Sequence, residues 1–333
     1  MAKKLALGID VGSVTTKVVF IDENDEVVEG LYLRTKGSPI ITIKNGMIEA
    51  YDYITKKYGD IEVIAVGTTG SGRQLAGVIV GADLVKNEIS AHAYAAVHEV
   101  PDVSTIFEMG GQDSKIIFLR NGAVVDFAMN TVCAAGTGSF LDHQAERIGV
   151  PIEKFGEYAL RSQSPVRIAG RCTVFAESDM IHKQQMGATS EDIIAGLSES
   201  LVRNYLNNLA RGKELLPKFV FQGGVSENIG IVKAFENAVG HEVIVPKYNK
   251  IMGAWGVAML AKREIEITGR KTNFKGFKVT ELKHDTRVFY CDGCANNCEV
   301  YEVIENGETI AYWGDRCGRW SNRITSKVRI NRK

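Results

Sequence analysis

The chain has no excess of charge of either sign: forty Lys and Arg offset forty Asp and Glu across 333 residues. A protein that grips nucleic acid or an anionic membrane surface through a broad basic face carries such an excess, so neither partner is expected. Long apolar runs are missing as well. No stretch approaches the ~18 apolar residues that a membrane-crossing helix needs. The opening MAKKLALGIDVG is interrupted by Asp10 before it reads as a secretory leader. A cytoplasmic protein is the expectation. Cysteine is scarce, six in all, and a chain of this length in a reducing compartment has no need of disulfides. What remains is an ordinary balance, 45% hydrophobic and 24% charged, with length enough for two domains and an appendage.

Against that plain background an internal repeat stands out. Residues 8–24 (GIDVGSVTTKVVFIDEN) align without a gap on residues 106–122 (IFEMGGQDSKIIFLRNG). Asp10 falls on Glu108, Gly12 on Gly110, Lys17 on Lys115 and Phe20 on Phe118. Each unit reads as an apolar strand ending in an acid, a Gly turn and a second strand. Duplicated hairpins about a hundred residues apart predict two related α/β lobes facing one cleft. Residues 61–75 read as strand, Gly-rich loop and helix start, and residues 87–100 as a helix. Further helices are expected near 137–148, 174–186 and 190–212, then strand, Gly turn and helix over 218–239, and a closing helix over 249–265. The expected domains are 1–103, 104–263 (with the closing helix free to return to the first lobe) and 264–333. The last comprises a polar, basic linker and a small Cys-rich β module, whose hairpin turn is set at Asn306-Gly307. From Arg316 onward there are seven Lys or Arg and no acid. That end reads as a solvated tail or as a dock for an acidic partner.

GIDVGSVTTK has the chemistry of a phosphate cradle. Gly12 lets backbone N–H groups approach phosphate oxygens; Ser13, Thr15 and Thr16 offer hydroxyls, and Lys17 adds a positive charge. Asp10, at the strand end, suits a magnesium-bound water, because Mg2+ keeps most of its waters. The spacing is neither that of a P-loop nor that of a dinucleotide turn. EMGGQDSK supplies a second jaw: Glu108 and Asp113 flank Gly110 and Gly111, and Gln112 can orient an attacking water. Phosphoryl transfer asks mainly for positioning and electrostatics, so this sparse set suffices. In FQGGVSENIG, Gly223 and Gly224 give flat backbone for an adenosine, and Asn228 starts the next helix. Any one of these is also what an ordinary structural turn looks like. Three in this order, with the duplication, are more specific. At this point the chain resembles the superfamily of actin, sugar kinases and Hsp70-type chaperones over about residues 3–263. That fold, with duplicated actin/Hsp70-like (ribonuclease H-like) lobes around an ATP cleft, implies ATP/ADP and Mg2+ as cofactors.

Cys133 and Cys172 each stand just before a predicted helix, where free N–H groups and the dipole favour a thiolate. Two thiols are too few for a four-thiolate cluster. A two-fold dimer doubles them, so one [4Fe–4S] cluster on the axis could take both from each subunit. Two buried structural thiols, the commoner fate of a lone Cys, is the other reading. NTVCAAGTGSFLDHQAERIGV and GRCTVFAES are similar to the two cluster-ligand motifs of the BadF/BadG/BcrA/BcrD ATPases. These are the activators of 2-hydroxyacyl-CoA dehydratases, the ATPase subunits of benzoyl-CoA reductases and the reductases of double-cubane proteins. GTTGSGR, NEISAHA, GGQDSK and FQGGVSENIG resemble that family in order and spacing. Glu108 departs from it, since relatives commonly carry Asp there. The resemblance implies a homodimer whose bridging [4Fe–4S] cluster is held by Cys133 and Cys172. It further implies that ATP hydrolysis is coupled to passing single low-potential electrons to an iron–sulfur dehydratase or a double-cubane-type reductase. Ferredoxin or flavodoxin would reload the cluster.

CDGCANNC places Cys291, Cys294 and Cys298 at tight spacing, and Cys317 follows in GDRCGRW. Four thiols around a hairpin point to a metal. Tetrahedral Zn2+, a second [4Fe–4S] cluster and unmetallated redox-active thiols all stay open. Two other functions remain in play. A small-molecule kinase of this fold would need insertions for a substrate pocket, which the chain lacks. An ATP-dependent sensor or scaffold would need no redox chemistry.

Overall fold

In a computed structural model the chain is described for residues 2–130 and 137–323. Cys133, and the basic stretch past residue 323, lie outside the described residues. The chain divides into two compact units. One holds the residues up to Glu88 together with those from Gly253 onward; the other is Ile89–Met252.

The first unit opens with an antiparallel meander, β1 (Lys3–Val11), β2 (Thr15–Ile21) and β3 (Val27–Arg34). Helix α1 (Pro39–Tyr58) leads to β4 (Ile61–Thr69), parallel to β1, and α2 (Arg73–Val80) leads to β5 (Leu84–Val85). The sheet runs β3-β2-β1-β4-β5. In the second unit the same plan recurs. After α3 (Glu88–Glu99) come β6 (Thr105–Met109), β7 (Ser114–Arg120) and β8 (Ala123–Asn130). Helices α4 (Gly138–Ile148), α5 (Ile152–Arg161), α6 (Thr173–Gln185) and α7 (Ser190–Leu209) precede β9 (Phe219–Gln222), α8 (Ile229–Val239) and β10 (Val243–Ile244). The strand order β10-β9-β6-β7-β8, read from its other edge, is that of the first sheet. The central strands are near-continuous apolar runs because helices cover both faces.

Each unit also holds a helix that sequence position alone assigns to the other. Helix α3, read with the first lobe, packs in the second: the His92 ring bonds Gln222 at 2.8 Å, and Glu99 accepts the Lys247 amide at 2.6 Å. Helix α9 (Met252–Thr268) seats on the first sheet. Its seat is a pair of glycines, Gly8 and Gly67, directly opposed on β1 and β4. A Cβ on Gly8 would overlap the Ala254 carbonyl oxygen, and one on Gly67 the Val257 carbonyl oxygen. Trp255 and Lys262 then clamp the β2–β3 turn, donating to the Asp25 and Glu23 carbonyls at 2.8 Å each. Gly8→Val is therefore expected to lift α9 and destabilise the chain by at least about 3 kcal/mol, the upper range for overpacking. Thermal unfolding checks this, and an unchanged midpoint would remove the seat from the account.

The stretch read as a linker is strapped down. The Asp83 carboxylate accepts from Val66 N (2.8 Å), Thr272 Oγ1 (2.6 Å) and Asn273 N (2.7 Å), and Lys275 N donates to Val80 O at 3.0 Å. Phe277 packs against Tyr51 with ring centroids 4.2 Å apart and the rings tilted by 36°. The module itself is a three-stranded sheet, β11 (His284–Tyr290), β12 (Glu299–Glu305) and β13 (Glu308–Trp313). Its β12–β13 turn has Asn306 and Gly307 at φ 51° and 88°, as the Asn-Gly pair predicts. Val279 and Val303 are buried in the same cluster as Leu5, Ile9 and Phe20. Ending the chain at residue 268 would strip that face, at about 1.5–3 kcal/mol for each large apolar side chain uncovered. The truncated protein is expected to unfold at markedly lower temperature. Unfolding at the full-length temperature would make the module a mere passenger.

Candidate half-sites for a nucleotide and a helix-start thiol

In the first unit, Asp10 ends β1 opposite Lys17 on β2. Their side chains pair at 3.0 Å, with the carboxylate almost fully buried. The turn between them is closed by Gly12 N donating to Thr15 O at 2.9 Å. The Gly12 amide, expected to face phosphate, is thus spent inside the turn, which leaves Ser13 exposed at its tip. Thr16 also turns inward: it is fully buried, and its hydroxyl pairs with Thr35 at 3.0 Å, while Thr35 donates to Gly12 O. Thr15 is buried too. Both threonines build the loop from beneath.

The second unit repeats the plan of this construction. Glu108 ends β6 opposite Lys115 on β7, and the pair closes to 2.9 Å. Gly110 N donates to Asp113 O at 3.0 Å, the counterpart of the Gly12–Thr15 bond. Lys115, 2% exposed, also meets the Asp113 carboxylate at 3.0 Å. Gln112 is exposed at the tip. The carbonyls of Gly110 and Gly111 accept from Gly138 N and Ser139 N at 2.9 Å each, and the Ser139 hydroxyl donates to Gly111 O. The first turn of α4 is thereby bolted to the loop.

Gly223 follows β9 at φ 92°, lying against Met109 O and Glu108, and Gly224 begins a single 3-10 turn, Gly224–Glu227. Asn228 caps α8, its Oδ1 accepting from Gly230 N and Ile231 N at 3.0 and 3.2 Å. That role is structural. Asn249, which sequence reasoning passed over, braces this loop: its carbonyl takes Gly223 N, and its amide reaches Ser226 and Glu227. The Asn249 amide, aided by Lys250, holds the Glu227 carboxyl below its usual range. Thr69 and Gly70 were also passed over as site residues. Gly70 leans on Asp10, and Gly72 N and the Ser71 hydroxyl both donate to Val11 O. The Gly-rich GTTGSGR stretch after a strand was the signal for them.

The acids fit a magnesium ion only at a distance. Each already faces a lysine at hydrogen-bond range, so a hydrated ion suits them better than direct coordination.

Cys172 occupies the N-cap position of α6, with extended backbone (φ −147°) and its carbonyl accepting Ala176 N at 3.0 Å. Its thiol is half-buried. Val174 and Phe175, the next turn's apolar residues, are 65% and 64% exposed. A thiol thus stands at a helix start whose next apolar residues are bare. The C-terminal cysteines behave differently. Cys291 is buried opposite Cys298, its N donating to Cys298 O at 2.8 Å and its Sγ accepting Gly293 N at 3.4 Å. Cys294 and Cys317 are exposed. Among the described residues no three Cys, His, Asp or Glu side chains converge so as to hold a metal ion. The four thiols are unequally exposed: the hairpin holds Cys291 inward, Cys298 is half-buried, and Cys294 and Cys317 face solvent. Nor, among the described residues, is any helix long and apolar enough to cross a membrane.

A model of the BadF/BadG/BcrA/BcrD ATPase family matches residues 7–261. The 2-hydroxyisocaproyl-CoA dehydratase activator of Clostridioides difficile is 35% identical over 263 residues, 77% of this chain and 94% of that protein. The (R)-2-hydroxyglutaryl-CoA dehydratase activating ATPase of Acidaminococcus fermentans is 34% identical over 78% of this chain and 97% of its own length. Among solved structures, the Clostridium difficile activator of 2-hydroxyisocaproyl-CoA dehydratase with bound ADPNP superposes with a TM-score of 0.69 at 32% identity, covering 82% of this chain and all of that one. The family match ends before β11, so the three-stranded sheet lies beyond it.

Proposed function

The chain belongs to the BadF/BadG/BcrA/BcrD ATPase family, and from that premise we propose that it is an ATP-hydrolysing activator of a 2-hydroxyacyl-CoA dehydratase or a related iron–sulfur reductase. It works as a cytoplasmic homodimer, with Cys133 and Cys172 of both subunits as the ligands of one bridging [4Fe–4S] cluster. When bound, that cluster supplies single electrons at low potential. Ferredoxin or flavodoxin is the proposed donor.

The observation that carries the reading is the bolt between the Gly110–Gly111 loop and the Gly138–Ser139 start of α4. Residues that answer to nucleotide are hydrogen-bonded to the helix that follows Cys133. A change in the loop on hydrolysis cannot leave that helix start unmoved without breaking these bonds. Coupling of this kind needs the ATP and ADP states to bind the partner differently. In the proposed hydrolysis Mg2+ would neutralise phosphate charge; within each unit one carboxylate, Asp10 fixed by Lys17 or Glu108 fixed by Lys115, would suit a metal-bound water, and Gln112 would orient the attacking water. Ser13 and Gly111 stand at the tips nearest phosphate. Gly223 and Gly224 form the flat wall for adenosine. Val174 and Phe175 gain cover from the second subunit.

Anaerobic purification with iron, sulfide and ATPase assays tests this. The expected result is about four iron atoms per two chains, with MgATP-dependent activation of a 2-hydroxyacyl-CoA dehydratase component. ATP hydrolysis by a protein that retains no iron under those conditions would refute the redox half and favour a sensor.

A further inference from the structure

The duplication reaches further than the repeated hairpin. In the first sheet Asp10 is the register partner of Lys17 on one side and of Thr69 on the other. In the second, Glu108 is the register partner of Lys115 on one side and of Gln222 on the other. Register partners project to the same face, so each unit carries a row of lysine, carboxylate and neutral oxygen-bearing side chain. Each row is followed by a glycine at a positive φ that other residues rarely adopt: Gly70 at 86° and Gly223 at 92°. Both glycines lean on the same two groups. A Cβ on Gly70 would meet Asp10 Oδ1 and Val11 O; a Cβ on Gly223 would meet Glu108 Oε1 at 2.9 Å and Met109 O.

The third member of each row is unusual in the same way. Thr69 and Gln222 are fully buried, and Thr69 Oγ1 and Gln222 Oε1 have no hydrogen-bond partner. Burying an unsatisfied oxygen is costly, and two chance occurrences at equivalent points of a duplicated frame are a poor account of it. Gln222 is not loose. Its Nε2 lies 2.8 Å from His92 Nδ1; with His92 in the tautomer whose Nδ1 accepts, the carboxamide oxygen is the end left over. An acceptor oxygen beside a carboxylate is suited to a donor with two protons, one for each acceptor. A water on a divalent cation is such a donor.

We propose that Gln222, held by His92, and its counterpart Thr69 are positioning residues of the two half-sites, each sharing with its neighbouring carboxylate a water of a hydrated divalent cation. This rests on the ATPase reading. It adds to that reading two residues that carry no charge and a histidine on α3.

The test is the equilibrium affinity for a non-hydrolysable ATP analogue, measured calorimetrically with and without Mg2+. Gln222→Leu is expected to reduce the Mg2+-dependent gain in affinity roughly tenfold, the loss of one hydrogen bond to a charged assembly. Its metal-free affinity should stay within about twofold of the parent, as RT sets the scale of a small change. Thr69→Val, nearly isosteric, should act in the same direction and guards against misfolding of the first variant. His92→Asn keeps an acceptor where Nδ1 stands and should retain most of the gain, whereas His92→Leu should lose it. An undiminished gain in both Gln222→Leu and Thr69→Val overturns the proposal, as does a parallel loss of metal-free affinity, which would mean that these side chains only shape the loops. A parent protein with no Mg2+-dependent binding at all would instead sink the ATPase reading.

Discussion

Cys172→Ser, purified anaerobically, is expected to carry less than about a tenth of the parent's iron, since a hydroxyl is a poor substitute for a cluster thiolate. ATP binding should survive within a few-fold. The reasons are local. Cys172 caps α6 with its carbonyl, which Ser supplies equally well, so the helix start at Ala176 N is kept. Ser is in fact the better cap. The unit's buried cluster includes Ala176 and Met180 on the far side of α6, and these are untouched. What goes is the half-exposed sulfur at the start of the helix that carries exposed Val174 and Phe175. The variant is further expected to elute as a monomer, because a cluster shared between chains is also their staple. Iron analysis, sizing and analogue binding read the three outcomes separately. Full iron content would remove Cys172 from the ligand set. Lost iron with lost nucleotide binding would point to collapse of the second unit.

Much of this frame was legible in the chain before any coordinates. The gapless repeat aligns Asp10 with Glu108 and Lys17 with Lys115 in two predicted hairpins, and the structure has both hairpins; that each lysine pairs with its acid across the strands is not read from the sequence, where Lys17 is assigned to phosphate. The aligned spacing has a physical cause: a buried ion pair at a strand end needs a fixed spacing along a hairpin, so it leaves a fixed spacing in the sequence. The Asn306-Gly307 turn was legible for a similar reason, since both residues need positive φ. Three things were not legible. Gly12, Gly110, Thr16 and Asn228 look like ligand-facing groups, yet they spend their hydrogen bonds inside the loops. Composition cannot tell a cradle's lining from its scaffolding. The return of α9 to the first unit was allowed for, but the placement of α3 in the second was hidden because it depends on contacts between residues more than a hundred positions apart, such as His92 with Gln222. The strap from residue 269 to 283 reads as linker by its polarity, but Thr272 and Asn273 in it are held by one buried acid, Asp83, and Lys275 by the Val80 carbonyl.

Lys115→Met is expected to cost about 3–5 kcal/mol of stability, and to abolish measurable ATP hydrolysis. Lys115 is 2% exposed and holds Glu108 at 2.9 Å and Asp113 at 3.0 Å. Met fills the volume but leaves the Glu108 carboxylate, itself 5% exposed, without its cation. Breaking one side of a buried pair is far worse than removing both, because the cost is that of the charge left behind. At about 2–4 °C per kcal/mol for a unit of this size, the midpoint should fall by roughly 6–20 °C. Lys17→Met in the other unit is the internal control. Lys17 makes the same 3.0 Å pair with Asp10 but keeps 16% of its side chain in solvent, so its stability loss should be smaller. The double variant Lys115→Met with Glu108→Gln separates the two roles of the pair. It should regain much of the lost stability, since only the partly solvated Asp113 carboxylate then loses its cation, yet remain inactive, since the carboxylate proposed to hold the cation's waters is gone. Recovered hydrolysis in the double variant would show that Glu108 serves only to balance Lys115, and the second half-site would then have to be rebuilt around Asp113.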